Sequence, residues 1–274
     1  MDKLQFEPMT VGQILDRTFR LWRANFVRYI AMVAVVLVPL RIVQFFWQTA
    51  LIGAANARDP SLAVPIIGAI VVIILAVVGQ NLSRAALMKS ISESYLGGEA
   101  TVGQSYRAIL PRLGGVILAS VMVGLVVGLG ILLLVVPGII FSLWYALTIP
   151  VLILEGSKAG ASMGRSRALV SGNLGKVFVL ALVVFLITWI ISAAFGLIGR
   201  QVGLAVSGQS VRLFTFVSSL FSLVSEILTV PISAAAYILL YYDLRIRKEG
   251  FDLEMLAQSL RTKGTIADAP PTTP

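Results

Sequence analysis

Six long apolar segments divide this chain, and its positive charge lies almost wholly on one side of them. The runs fall near 27–51, 62–87, 114–136, 138–154, 176–199 and 213–242. A helix crossing a hydrocarbon core ~30 Å thick needs about 20 mostly apolar residues, so each run is a candidate span. If residue 1 lies inside, one face collects all of the 22 Lys+Arg except Arg41, Arg58, Arg200 and Arg212. Cytoplasmic loops carry this excess in membrane proteins. The expectation is an all-α, polytopic membrane protein with six transmembrane helices and both termini cytoplasmic.

Composition narrows what such a chain can do. It has 274 residues and is 13% charged, where a soluble domain averages about 25%. Mean hydropathy is +0.93. Six spans over residues 1–260 leave no room for a soluble catalytic domain; a barrel enzyme alone takes about 250 residues. There is no Cys and no His. That removes thiol nucleophiles, disulfides, His proton relays and the usual zinc ligands, so no metal or cofactor is expected. The net charge of +9 fits contact with anionic lipid headgroups. Nucleic acid is not an expected partner, because the basic residues are spread along membrane-adjacent segments. The first apolar run is too long for a signal-peptide core, so an uncleaved span is expected. The Pro/Thr/Ala-rich tail over 261–274 reads as disordered. A short amphipathic helix is expected over 251–260, with Leu253, Leu256 and Leu260 on one side.

One apolar stretch must turn back on itself. A single helix over 114–154 would be ~60 Å long, twice the hydrocarbon core. Val136-Pro137-Gly138 is the expected hinge, since Pro breaks a helix and Gly permits a turn. A weak repeat adds order. Thr10-Val11-Gly12-Gln13 recurs as Thr101-Val102-Gly103-Gln104, and both fit the capping box, Thr followed three residues later by Gln. Each opens a short amphipathic segment, and Ala161–Gly175 is a weaker third copy. The chain then reads as three units, each a cytoplasmic interfacial helix followed by a transmembrane hairpin. In the headgroup layer such helices turn apolar faces down and Arg toward phosphates. The headgroup candidates are Arg17, Arg20, Arg23, Arg107, Arg112, Arg165, Arg167, Arg245 and Arg247. The plain alternative is that these helices only orient the spans.

Glu226 is the residue least at home in its surroundings. It lies inside the sixth apolar run, where a charge at mid-bilayer costs at least ~2.5–3.5 kcal/mol and faces protein or water. Ser219, Ser222, Glu226, Thr229 and Ser233 share one helical stripe. Arg41, with Gln44 and Gln48 at i+3 and i+7, offers a partner from the first span. By helical rise Arg41 lies ~20 Å from Arg28 and Glu226 ~25 Å from Asp243, a difference two long side chains can bridge. An Arg41–Glu226 pair is therefore expected, either pinning the first and last spans or lining a polar cavity for an ion, proton or lipid headgroup. A protonated Glu226 without a partner is a third reading. No second membrane-embedded acid is available for an acid/base pair. Ser120, Gly124 and Gly128 form a small-residue stripe suited to close packing inside the bundle or between copies. Gln80, Asn81, Ser83 and Arg84 read as the cytoplasmic end of the second span.

The last span closes on Tyr241-Tyr242-Asp243-Leu244-Arg245-Ile246-Arg247-Lys248-Glu249-Gly250-Phe251-Asp252-Leu253-Glu254. In physical terms this is an aromatic belt, a basic anchor and a Gly break. It also resembles the C-terminal signature of the glycerophosphoryl diester phosphodiesterase membrane-domain family. The Thr10–Phe26 stretch is similar too, as are Val135–Ile140 and Ser162–Asn173. The central block also resembles an uncharacterised six-span bacterial inner-membrane family. The resemblance implies a prokaryotic plasma membrane and a six-span fold. It implies no activity, because this chain has neither the cytosolic enzyme domain nor the His residues such enzymes use.

Two functions follow as expectations. The first is a non-enzymatic accessory or scaffold module that organises lipids or a membrane or cytosolic partner protein. The second is a small transporter or lipid-handling protein built on the stripe around Glu226. Neither substrate nor oligomeric state follows from the residues.

Overall fold

Lipid offers no hydrogen bonds, so each apolar run must satisfy its own backbone, and a helix does this. The computed structural model describes residues 8–56, 63–98, 101–208 and 210–250. The expected helix over 251–260 and the tail lie outside these. The helices are α1 (Val11–Ala24), α2 (Phe26–Asn56), α3 (Ala63–Tyr95), α4 (Val102–Ile109), α5 (Leu113–Leu133), α6 (Val135–Trp144), α7 (Thr148–Glu155), α8 (Ala159–Val170), α9 (Leu174–Ser207) and α10 (Val211–Glu249). No strand occurs among the described residues. Among the described residues six segments are long and apolar enough to cross a membrane: α2, α3, α4 with α5, α6 with α7, α9 and α10. The protein is a polytopic all-α protein.

The helices overrun the apolar runs. The loop expected over 88–113 is largely helix, because α3 continues to Tyr95. Residues 88–95 contain no Gly or Pro, and Ile91 and Tyr95 bury their side chains in the core. Gly97, at φ +82°, follows the helix end. Likewise α9 reaches Ser207 and α10 starts at Val211, which removes most of the loop expected over 200–212.

The hinge is not at Pro137-Gly138. The chain turns at Leu134, which is extended (φ −159°, ψ 139°), and α6 begins at Val135. Pro137 falls in the first turn, where no helical N–H is needed. Gly138 instead permits close approach: a Cβ there would lie 2.7 Å from the Ile131 amide nitrogen, and one on Gly130 would lie 2.9 Å from Gly138 Cα. The small-residue stripe expected on α5 does not pack in this way. Ser120 donates to Asn81 Oδ1 on α3 at 2.6 Å, but a Cβ on Gly124 or Gly128 would meet nothing within 4 Å.

The three expected surface helices differ. Both capping boxes form: Thr10 and Gln13 bond reciprocally at 2.7 and 3.3 Å, and Thr101 and Gln104 at 3.0 and 3.3 Å. The third copy, α8, has no such cap. It buries Ser162, Met163, Ser166, Leu169 and Val170 while Gly160, Ala161, Gly164, Arg167 and Ala168 stay exposed, so it packs one face into the bundle more deeply than α1 or α4 does. The reason lies in the fourth span, which breaks between α6 and α7. Ser166 Oγ donates to the Trp144 carbonyl at 2.7 Å and accepts from the Leu147 amide at 3.1 Å. One hydroxyl thus satisfies both sides of the break.

α10 is the spine, packed against α9, α2, α1 and α3. Its inner half is buried almost without interruption from Thr229 to Leu244. At its end sits Asp243, 0% exposed. The carboxylate accepts from the Met9 amide at 2.6 Å and from Arg247 Nε at 3.1 Å, and it pairs with Lys176 on α9. Lys176 and Arg247 both also donate to the Met9 carbonyl, at 2.5 and 2.9 Å. One buried acid therefore joins the entry of α1, the first turn of α9 and the end of α10.

Asp243→Asn should destabilise the protein by about 3–5 kcal/mol, since two cations lose their shared counter-charge. Asp16→Asn removes only an exposed pair with Arg20 (63% and 68% exposed), and should cost under about 1 kcal/mol. Thermal unfolding of both variants in one uncharged detergent checks the ordering; equal losses would show that Asp243 is not the joint.

Candidate functional site

The stripe around Glu226 faces a cavity of about 420 Å³ between α2, α3, α9 and α10. Its lining is Arg41, Arg84, Thr188, Ser192, Ser222, Ser225, Glu226, Thr229, Val230 and Ser233. The volume lies within the range of about 300–1,000 Å³ found for small-ligand sites. It is open, because Arg84, Ser192 and Ser222 are exposed.

Arg41 and Glu226 meet as an ion pair, side chain to side chain. Arg41 Nη1 also donates to Gln44 Oε1 at 3.2 Å. Pro39 and Pro231 both stand inside their helices, close to the two charges. Of the expected site residues, Ser222, Glu226, Thr229, Ser233 and Arg41 line the cavity and Gln44 supports Arg41. Ser219 is half-buried outside the lining, and Gln48 is exposed one turn beyond Gln44.

The hydroxyls are not equivalent. Ser222 donates to the Ser218 carbonyl at 3.0 Å, Thr229 to Ser225 at 2.8 Å and Ser233 to Val230 at 3.0 Å. Thr188 donates to Val184 at 2.9 Å. These four have spent their protons on their own helices and present lone pairs to the cavity. Ser225 donates to Ser192 Oγ at 3.0 Å, which leaves the Ser192 proton free to turn inward.

Arg84 was the residue most misplaced by sequence reasoning. With the second span ended near 87, it reads as a headgroup-level cation. Because α3 runs on to Tyr95, Arg84 lies ~17 Å inside that helix end. Thr188, Ser192 and Ser225 were also missed. The pair on α9 had a signal, two hydroxyls four apart in an otherwise apolar run. Ser225 had one too, lying at i+3 from Ser222 and i−4 from Thr229.

The nine headgroup candidates separate into two groups. Arg17 donates to Tyr95 Oη at 3.3 Å, and Arg112 to the Ile153 carbonyl at 2.7 Å, near the end of α7. Arg167 lies 4.3 Å from the Trp144 ring centre. Arg165 is held between Glu155 at 3.1 Å and Glu249 at 2.5 Å; the Glu249 hydrogen bond is the main reason its pKa rises above the ordinary value. Arg245 bonds Glu249 at 3.1 Å, and Arg247 bonds Asp243. Arg20, Arg23 and Arg107 remain exposed at the surface, with Arg20 near Asp16 at 3.4 Å.

Reversing either partner of the Arg41–Glu226 pair should lower the melting temperature and the yield of folded protein. The loss should fall below the ~3–5 kcal/mol of a fully buried pair, because 34% of the Arg41 side chain stays exposed. Arg41→Glu combined with Glu226→Arg should recover most of it. A double variant no better than the worse single one would exclude direct pairing.

Compared with known proteins, the chain matches no family model, no curated protein and no solved structure.

Proposed function

We propose that this chain is a non-enzymatic, multi-pass protein of a prokaryotic plasma membrane that takes a polar ligand, a lipid headgroup or a small solute, into the cavity between α2, α3, α9 and α10. The observation that carries this reading is the lining itself: two guanidiniums, one carboxylate and six hydroxyls at the depth of the spans. A charged group in a span is expensive and is by default a candidate for a ligand or ion path. A pin between two helices needs one ion pair; it does not need the Ser and Thr side chains gathered around it. The scaffold reading leans on basic surface helices. It is weaker because Arg112, Arg165, Arg167, Arg245 and Arg247 are engaged within the protein. The charge asymmetry supports cytoplasmic termini, and the resemblance to the glycerophosphodiesterase membrane-domain family accords with that location.

Native mass spectrometry of gently purified protein tests the cavity. Ser192→Phe fills it from the exposed side and leaves the Arg41–Glu226 pair in place. The wild type should retain a lipid or small polar species that the variant loses at an unchanged melting temperature. Equal retention by both, or a wild type that carries nothing, would refute the reading.

Orientation has its own test, made clean by the absence of Cys from the chain. Ser171→Cys, just before α9, and Arg212→Cys, in the first turn of α10, place single exposed thiols on either side of the α9 span. In intact cells an impermeant maleimide should label only the second. Labelling of the first alone would invert the topology.

A further inference from the structure

The cavity is electrostatically unfinished. Arg41 and Arg84 contribute two positive charges to its wall and Glu226 one negative charge. Arg41 takes the carboxylate, whereas Arg84 has no hydrogen bond or ion pair among the described residues. No other acid there is free to serve it. Asp16 pairs with Arg20, Glu93 with Lys89, Glu155 and Glu249 with Arg165, and Asp243 with Lys176 and Arg247. Arg84 stands exposed at the open side of the cavity with its donors unspent, where an anionic ligand can take them.

The geometry selects among anions. Gly79 of α3 lies against Leu40 and Val36 of α2, which sets the register of the two helices. Arg84 then stands ~12 Å from Arg41 along the bundle axis by helical rise. Each side chain reaches several ångströms, so both can approach one group between them from opposite sides. A carboxylate can take two guanidiniums, as Glu249 does with Arg165 and Arg245, but its oxygens lie in one plane. A phosphoryl group has oxygens pointing in divergent directions and can meet both, each through the donor fork that makes Arg the common phosphate ligand. Arg41 keeps donors beyond those given to Glu226 and Gln44, and Ser192 has a free proton. Resting on the cavity reading above, we infer that Arg84 and Arg41 form an intramembrane site for a phosphoryl oxyanion, with Arg84 as its principal ligand and the Glu226 carboxylate holding Arg41 in place.

The phosphoryl group can belong to a phospholipid or to a soluble phosphate, and one titration separates them. Protein in uncharged detergent is melted against inorganic phosphate, against phosphatidylglycerol in mixed micelles, and against sodium chloride at matched ionic strength. One phosphoryl source should raise the wild-type melting temperature and chloride should not. A lipid-only response assigns the site to a headgroup; a phosphate-only response assigns it to a solute. In Arg84→Gln the apparent affinity should fall about ten- to hundredfold, the worth of one charge-assisted hydrogen-bonding group. The unliganded melt should not fall, because Arg84 supports no contact. Arg84→Lys should recover part of the response, and Arg23→Gln, at the exposed surface, should leave it intact. Equal stabilisation of wild type and Arg84→Gln, or no response to either phosphoryl source, overturns the inference. If Ser192→Phe abolishes binding of a polar lipid that Arg84→Gln still binds, the cavity reading stands and the oxyanion site falls. If neither variant alters binding, both fall.

Discussion

A fully buried carboxylate must be matched, and Asp243 is matched by three parts of the chain at once: the Met9 amide, Lys176 and Arg247. The residues around it extend the same joint. Tyr242 shares a 2.6 Å hydrogen bond with Ser92 of α3, and Tyr241 donates to Glu155 of α7 at 3.0 Å. Lys248 donates to the Ala168 and Ser171 carbonyls at the end of α8, where a cation also suits the helix dipole. Helix association in lipid lacks the hydrophobic driving force available in water. Directional polar contacts at one end of the bundle are therefore well placed to decide how the spans assemble.

This joint also fixes the rotation of α10. A helix held at Asp243 and continuous to Val211 cannot choose separately which face it presents further along. With Tyr241, Tyr242 and Asp243 committed to their partners, Ser225, Glu226, Thr229 and Ser233 face the space shared by α2, α3 and α9. The cavity is thus a consequence of a contact ~25 Å away along the same helix. Such an arrangement lets α9 and α3 both line the site while each packs on α10.

Much of this was legible in the residues, and what escaped has definite causes. The apolar runs announce the spans because lipid permits only self-satisfied backbone. Both Thr-x-x-Gln caps are local, so four residues suffice to place them. Arg41 and Glu226 could be matched by depth because each is a rare charge in its span. Arg84 could not, because the end of α3 is set by burial of Ile91 and Tyr95 against other helices, not by its own hydropathy. The turn at Leu134 escaped for a related reason. Pro137 and Gly138 signal a break in general, but a Pro is harmless in a first helical turn, and Gly138 was needed for its missing Cβ. The role of α8 was hidden too, since only the break in its partner span gives Ser166 two backbone groups to satisfy.

These contacts bear on what the closing segment means. Tyr241 through Glu249 is the stretch most easily taken for a functional signature. Yet Tyr241, Tyr242, Asp243, Arg245, Arg247, Lys248 and Glu249 all have partners within the chain. A motif whose polar groups are already satisfied specifies a fold, and any chain that keeps this bundle needs those groups whatever it binds. Ligand chemistry belongs where groups are left unsatisfied. Counting charges by side conceals such a place, because it scores Arg84 as one more cation of the basic face. Its place in α3 removes it from that tally and leaves a guanidinium with no hydrogen bond or ion pair among the described residues.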